Sequence, residues 1–236
     1  MFIIIKKSWE DFFSLKMLTL NLLPILIGIV FWAFVLFYFS DYFIKFLEYF
    51  LPQSWQKISQ NQGFFSHIGN ILIHSLLYIL LGFLILILTL IGNIFISIFY
   101  TPIVVKYLHK KYFYYIDIDS FGSIQTSIHH YIKSLGKFLL FFIVLTPFYF
   151  VPFIGFFAIL IPHFFFFKNT MLFDIGSSIF NTVQYQSFMR KHKIKIYQIS
   201  LMAYFFSLIP IFNFFATLLQ TIIIARYLFQ SKSNIN

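Results

Sequence analysis

Apolar runs long enough to cross a membrane alternate along this chain with short basic clusters. The first run spans Leu20 to about Phe39, and its helix can continue through Asp41, Lys45 and Glu48 to Leu51. The second spans about Ile71 to Tyr100. Each meets the roughly 20 residues needed to cross a hydrocarbon core of about 30 Å. Ahead of them, Ser8 and Asp11 have capping-box spacing, and Phe12, Leu15 and Leu18 or Leu20 recur near helical intervals. Ser8 to about Thr19 is therefore expected to start a helix at the interface and run into the first span. The intervening loop holds Pro52, Trp55, Asn61 and Gly63, which suit turns and the membrane interface. After the second span, Thr101-Pro102 should kink the helix before the basic exit Lys106 to Lys111. Tyr112 to Gly122 reads as a connector and Ser123 to Gly136 as an amphipathic surface helix.

Two later segments repeat each other at an offset of 58 residues. Val151-Pro152-Phe153-Ile154-Gly155-Phe156-Phe157-Ala158-Ile159-Leu160 returns as Ile209-Pro210-Ile211-Phe212-Asn213-Phe214-Phe215-Ala216-Thr217-Leu218. Lys137 and Lys195 stand fifteen residues before their prolines, and Lys168 and Arg226 sixteen after them, so the whole charge-framed unit is duplicated. An apolar arm of about fifteen residues reaches roughly 22 Å at 1.5 Å per residue, short of the core thickness. Each repeat is therefore expected to be a re-entrant helical hairpin turning at Pro152 and Gly155, or at Pro210 and Asn213, where Gly and Asn tolerate left-handed backbone. The rival reading joins the two arms of each repeat into one kinked span.

Charge placement orients these elements, because basic residues near spans are retained in the cytoplasm. Of seventeen Lys and Arg, two (Lys45 and Lys57) lie between the first two spans, balanced there by Asp41 and Glu48. The other fifteen form four clusters, Lys6 to Lys16, Lys106 to Lys137, Lys168 to Lys195 and Arg226 to Lys232. With all four in the cytoplasm, each repeat enters and leaves on one face, and both termini are cytoplasmic. The kinked-span reading puts Lys168 and Arg190 to Lys195 outside, against the charge rule.

Composition agrees: 60% of residues are hydrophobic and 10% charged, too few to clothe a soluble surface, which makes this an integral membrane protein. The chain, 1–236, reads as one membrane domain in four segments: lead-in and first span (8–51), second span and basic exit (64–111), and two units of amphipathic helix plus hairpin (123–168 and 177–229). The N-terminus places apolar residues before its lysines and lacks a small-residue cleavage site, so no secretory signal is expected. Cysteine is absent, which removes thiolate chemistry.

The layout and its local motifs resemble the CysZ sulfate-permease family, which shares a domain with the etoposide-induced membrane proteins. The matching pieces are Leu22-Leu23-Pro24-Ile25-Leu26, Tyr100-Thr101-Pro102, Val151-Pro152-Phe153-Ile154-Gly155, Asp174, Phe188-Met189-Arg190-Lys191 and Ile209-Pro210-Ile211-Phe212-Asn213. The resemblance implies a bacterial inner-membrane protein with two long spans, two hemi-penetrating hairpins, a homo-oligomeric assembly and sulfate uptake for cysteine synthesis. The chain departs from the family where a Gly-Leu-Arg-Arg run would precede the first-span proline: here stands Lys16-Met17-Leu18-Thr19. Arginine forks bind oxyanions bidentately, and Leu18 and Thr19 do not replace them. His109 stands where the family tends to hold an acid.

Candidate site residues are few. Lys16 and the Thr19 hydroxyl at a helix N-terminus form a candidate anion site, with Lys16 snorkelling to lipid headgroups as the plainer role. Lys106, His109 and Lys110 form a candidate basic vestibule, or only a positive-inside signal. Asn93 is a candidate pore-lining residue or a helix-to-helix hydrogen bond, in a span that also carries Thr89 and Ser97. No carboxylate falls inside the expected membrane segments, apart from Asp41 and Glu48 if the first helix extends. His74 and His163 stand alone, and His129-His130 lacks metal-site spacing, so no metal or cofactor is expected. Phosphate loops, dinucleotide fingerprints, zinc-protease motifs and nucleophile elbows are missing, which argues against an enzyme. The net charge of +10 lies at the ends of apolar segments, where topology and anionic lipid account for it without nucleic acid. The expected partners are membrane lipid, further copies of the chain and a small inorganic anion. The leading function is a CysZ-like anion permease or channel; the alternative is a non-transporting structural member whose anion site has lapsed.

Overall fold

The computed structural model describes residues 2–49, 64–97, 100–151, 153–210 and 212–233, without the side chains of 47–48, 64–67, 70, 83, 86–87, 89–97 and 124. The interspan loop, Pro152, and the side chains of Thr89, Asn93 and Ser97 thus lie outside the described residues. All regular structure among the described residues is helical. Among the described residues, four helices are long and apolar enough to cross a membrane: Leu15–Tyr38, Gln125–Phe150, Ile154–Ile179 and Asn213–Ser233. Two compact units emerge, one of residues 19–96 and one of residues 1–18 with 97–236.

The first unit holds most of α2 (Leu15–Tyr38), then α3 (Ser40–Tyr49) and α4 (Phe64–Ser97). Pro24 falls inside α2. A turn at Phe39 separates α2 from α3, bridged by backbone bonds from Phe39 to Val35 and from Phe43 to Phe39. Ile44 of α3 packs with Ile73 and Leu77 of α4.

The second unit begins with α1 (Phe2–Phe12), which forms earlier than the expected helix start at Ser8. Ser8 is mid-helix, and the break comes at Phe13 and Ser14 instead. Ile4, Ser8, Asp11 and Phe12, at i, i+4, i+7 and i+8, form one buried stripe, so Asp11 is a packed residue and not a cap. After α5 (Tyr100–Tyr112), a connector bonds along the end of a later helix: the amides of Phe121 and Gly122 donate to the Ser177 carbonyl.

Ser123 and Thr126 cap α6 (Ile124–Leu145) reciprocally. The expected surface helix and the first hairpin arm are thus one continuous rod, extended by a 3-10 turn (Thr146–Phe150). α7 (Ile154–Ile179) then folds back along it. Phe138 meets His163 and Phe166, Phe141 meets Phe165, and His130 stacks on Phe173 at 3.9 Å, a register that only an antiparallel hairpin gives. The second repeat also folds back: α8 (Thr182–Lys191) leads into α9 (Lys193–Phe205), a short 3-10 turn and α10 (Asn213–Ser233). There Gln220 donates to the Ala203 carbonyl at 3.1 Å. The arms are longer than fifteen residues, since Gln125–Phe150 and α7 each have 26. At 1.5 Å per residue that is about 39 Å, so helix length does not itself limit penetration in the first repeat.

The first tip corrects the expected turn chemistry. The left-handed residue is Phe153, at φ 62°, while Gly155 does not have positive φ. Gly155 serves close approach instead, because a Cβ there would lie 2.5 Å from the Tyr149 carbonyl oxygen. Asn213 opens α10 without left-handed backbone, its amide donating to Ile209 at 3.0 Å.

α10 is the axis of this unit. α1, α5, α7 and α9 all pack on it, and Leu218, Leu219, Ile222, Ile223, Ala225 and Leu228 are fully buried. Within their most apolar windows, α10 is 72% buried inside the protein and Gln125–Phe150 only 6%, so one helix forms protein core and the other turns its apolar surface outward.

Candidate functional site

A carboxylate at the end of α1 gathers one buried and one half-exposed cation. Asp11 is fully buried, and the Arg226 guanidinium of α10, 2% exposed, donates from Nη2 to Oδ2. Oδ1 accepts from Lys111 Nζ at 2.9 Å, from the Tyr112 hydroxyl at 2.9 Å and from the Tyr107 hydroxyl at 3.2 Å. Lys111 also donates to Tyr107 at 2.8 Å, and the Arg226 guanidinium carbon lies 4.5 Å from the Tyr112 ring centre. Burial alone would lower the Lys111 pKa; its hydrogen bonds with Tyr107, Asp11 and Tyr112 outweigh that and raise it above the ordinary lysine value.

Local sequence places each group. The Asp11 stripe of α1 faces α10, while Thr101, Val104, Val105 and Leu108 bury one face of α5, setting Tyr107 and Lys111 one turn apart on its flank. One carboxylate thus holds two cations, and the Arg226 Nε–H finds no acceptor among the described residues. The cluster has a surplus positive charge and an unused buried donor.

A second polar feature lies where α5 meets α7. Thr101 donates to Asp174 at 2.5 Å, in a cleft of about 510 Å³ also lined by Ser127, His130, Thr170 and Thr217. α7 runs past Lys168 and carries Asp174 within the 26-residue apolar helix, so a carboxylate does fall inside a candidate membrane segment. Reading the arm as ending at Lys168 concealed this.

The expected site residues separate. Lys16 is exposed, its ammonium 5.4 Å from the Tyr107 ring centre, which sets it beside the Asp11 cluster. Thr19 is exposed further along α2. Lys106 and Lys110 lie exposed one turn apart on α5. His109 turns elsewhere: Nε2 is 2.9 Å from the Ile116 carbonyl oxygen and its ring stacks near Phe229, bracing the exit from α5. Pro210 and Asn213 lie at the second tip, Gly155 beyond the first. No group of three His, Asp or Glu among the described residues gathers as a metal site. Asp11 was visible in the sequence only as a supposed cap, and Arg226 only as the repeat partner of Lys168.

No curated protein and no solved structure matches the chain. One family profile does, over residues 4–217, from α1 through the first hairpin to the first turn of α10. With that match spanning nearly the whole fold, the chain belongs to the family described as sulfate transporter CysZ/etoposide-induced protein 2.4.

Proposed function

We propose that this chain is an anion permease of the bacterial inner membrane, with sulfate its first substrate. The observation that carries the reading is Arg226: a buried guanidinium on the core helix of the unit, tied to one carboxylate, with a buried donor to spare and the half-exposed Lys111 adding a second positive charge. Fixed positive charge in a low-dielectric body favours anions, and the guanidinium fork suits tetrahedral oxyanions. The family's description, which includes a sulfate transporter, supports a transport role. Lys16, beside Tyr107, together with Lys106 and Lys110, supplies the basic approach to this centre. The decisive experiment is labelled-sulfate uptake into liposomes holding the purified protein. Protein-dependent uptake blocked by selenate is expected; none, from folded and inserted protein, would transfer the assignment to a structural member with a lapsed anion site.

In the same reading α2 and α4 span the bilayer, both termini are cytoplasmic, and the two hairpins are re-entrant. The antiparallel packing supports this, as do Lys137 and Lys168, which stand together at the base of the first hairpin. Such tips need shielding by protein, which a homo-oligomer supplies. Cysteine at Phe153, 88% exposed at the first tip, tests the arrangement because the chain has no other thiol. That position is preferable to Gly155, which has no room for a Cβ. Resistance to an impermeant thiol reagent applied outside is expected, and ready labelling there would sink the re-entrant hairpin.

A further inference from the structure

We infer that the cleft between α6 and α7 holds the phosphate headgroup of an anionic phospholipid. The internal repeat poses the question. Lys168 occupies in the first repeat the place Arg226 holds in the second, and both are buried, at 7% and 2% exposure. Arg226 has Asp11. Lys168 has no carboxylate within salt-bridge distance and no hydrogen bond among the described residues; its ammonium lies 3.6 Å from the Tyr197 ring centre and 5.2 Å from that of Phe165. An aromatic face attracts a cation without neutralising it, so a buried ammonium held this way lacks its anion.

The surroundings say what kind of anion fits. Lys168 opens into a cleft of about 640 Å³, and Lys133 and Lys137, one turn apart on α6, reach it from the opposite wall. Among the described residues no carboxylate lines it. The buried Ser134 and the half-buried Asn169 add polar groups at the same end. Towards the hairpin tip the lining changes to Leu140, Phe141 and Phe165, with Leu140 61% and Phe141 40% exposed. Three ammonium groups at one end and an exposed apolar wall at the other match a phosphodiester with its acyl chains, and the lysines fall where the charge frame of the repeat puts the membrane interface. A free inorganic anion would use the lysines and leave the apolar wall without a purpose. This site is separate from the Asp11 cluster and does not rest on the transport reading.

The test is native mass spectrometry of the full-length detergent-purified protein offered equal phosphatidylglycerol and phosphatidylcholine. Wild type is expected to retain phosphatidylglycerol preferentially. Lys133→Gln with Lys137→Gln, both exposed and safe for folding, should weaken that retention about thirtyfold, from the usual contribution of two basic residues to headgroup binding. Lys168→Met should abolish the preference, and Lys6→Gln, on an exposed position of α1, should leave it intact. Equal retention of the two lipids by wild type, or an unchanged preference in the double variant, overturns the proposal. So does inorganic phosphate if, without lipid, it raises the melting temperature of wild type as much as phosphatidylglycerol does, because the cleft would then serve a free oxyanion.

Discussion

Replacing Asp11 with alanine is expected to destabilise the protein by about 3–5 kcal/mol, the usual cost of removing one partner from a buried ion pair. The loss exceeds that of an ordinary hydrogen bond because three further donors, from Lys111, Tyr112 and Tyr107, converge on the same carboxylate. Arg226 would remain 2% exposed with no counter-charge, in the helix on which the rest of the unit packs. For a chain of this size the melting temperature in detergent should fall by about 10 °C. The double variant Asp11→Ala with Arg226→Met should recover much of this, since it removes the stranded charge along with its partner. A fall of less than about 2 °C in the single variant would show that water or lipid reaches Arg226.

Gly155→Ala should cost about 1–3 kcal/mol, the range for forcing one group into filled space. The added Cβ would meet the Tyr149 carbonyl oxygen at 2.5 Å, and backbone cannot rotate aside as a side chain can. The tip already carries one strained residue in Phe153, so little freedom remains to absorb the shift. Gly82→Ala is the control: nothing lies within 4 Å of its added Cβ, and inside α4 the exchange should be neutral or stabilising by up to about 1 kcal/mol. Thermal unfolding of both variants decides the matter, and equal melting temperatures would mean that the first tip is looser than its geometry implies. In the second repeat Asn213 takes the equivalent position beside a shorter 3-10 turn, so the two tips are not interchangeable.

Much of the architecture was legible in the chain. Long apolar runs predicted membrane helices because hydrocarbon leaves backbone groups no partner outside the helix. The 58-residue repeat predicted two similar units, and both fold back on themselves as antiparallel hairpins. Boundaries were less legible. The first arm was judged by its uncharged length, yet α6 begins at its Ser123 cap and runs through Lys133 and Lys137 without a break, since exposed lysines do not interrupt a helix. Gly155 was correctly marked as a special position for the wrong reason: its small size matters, and the left-handed residue is the neighbouring Phe153.

Sequence by itself determined that this is a helical, multi-pass membrane protein with a duplicated unit and a family membership spanning residues 4–217. Those properties are sums over local composition and spacing, which the chain carries residue by residue. Only the tertiary structure decided that α10, apolar enough to cross a membrane, is instead the axis of its unit, and that Arg226 reaches Asp11 from 215 positions away while Lys168 meets only aromatic rings among the described residues. Whether a buried charge has a partner depends on which helix faces arrive at one point, and no local pattern in the chain records that.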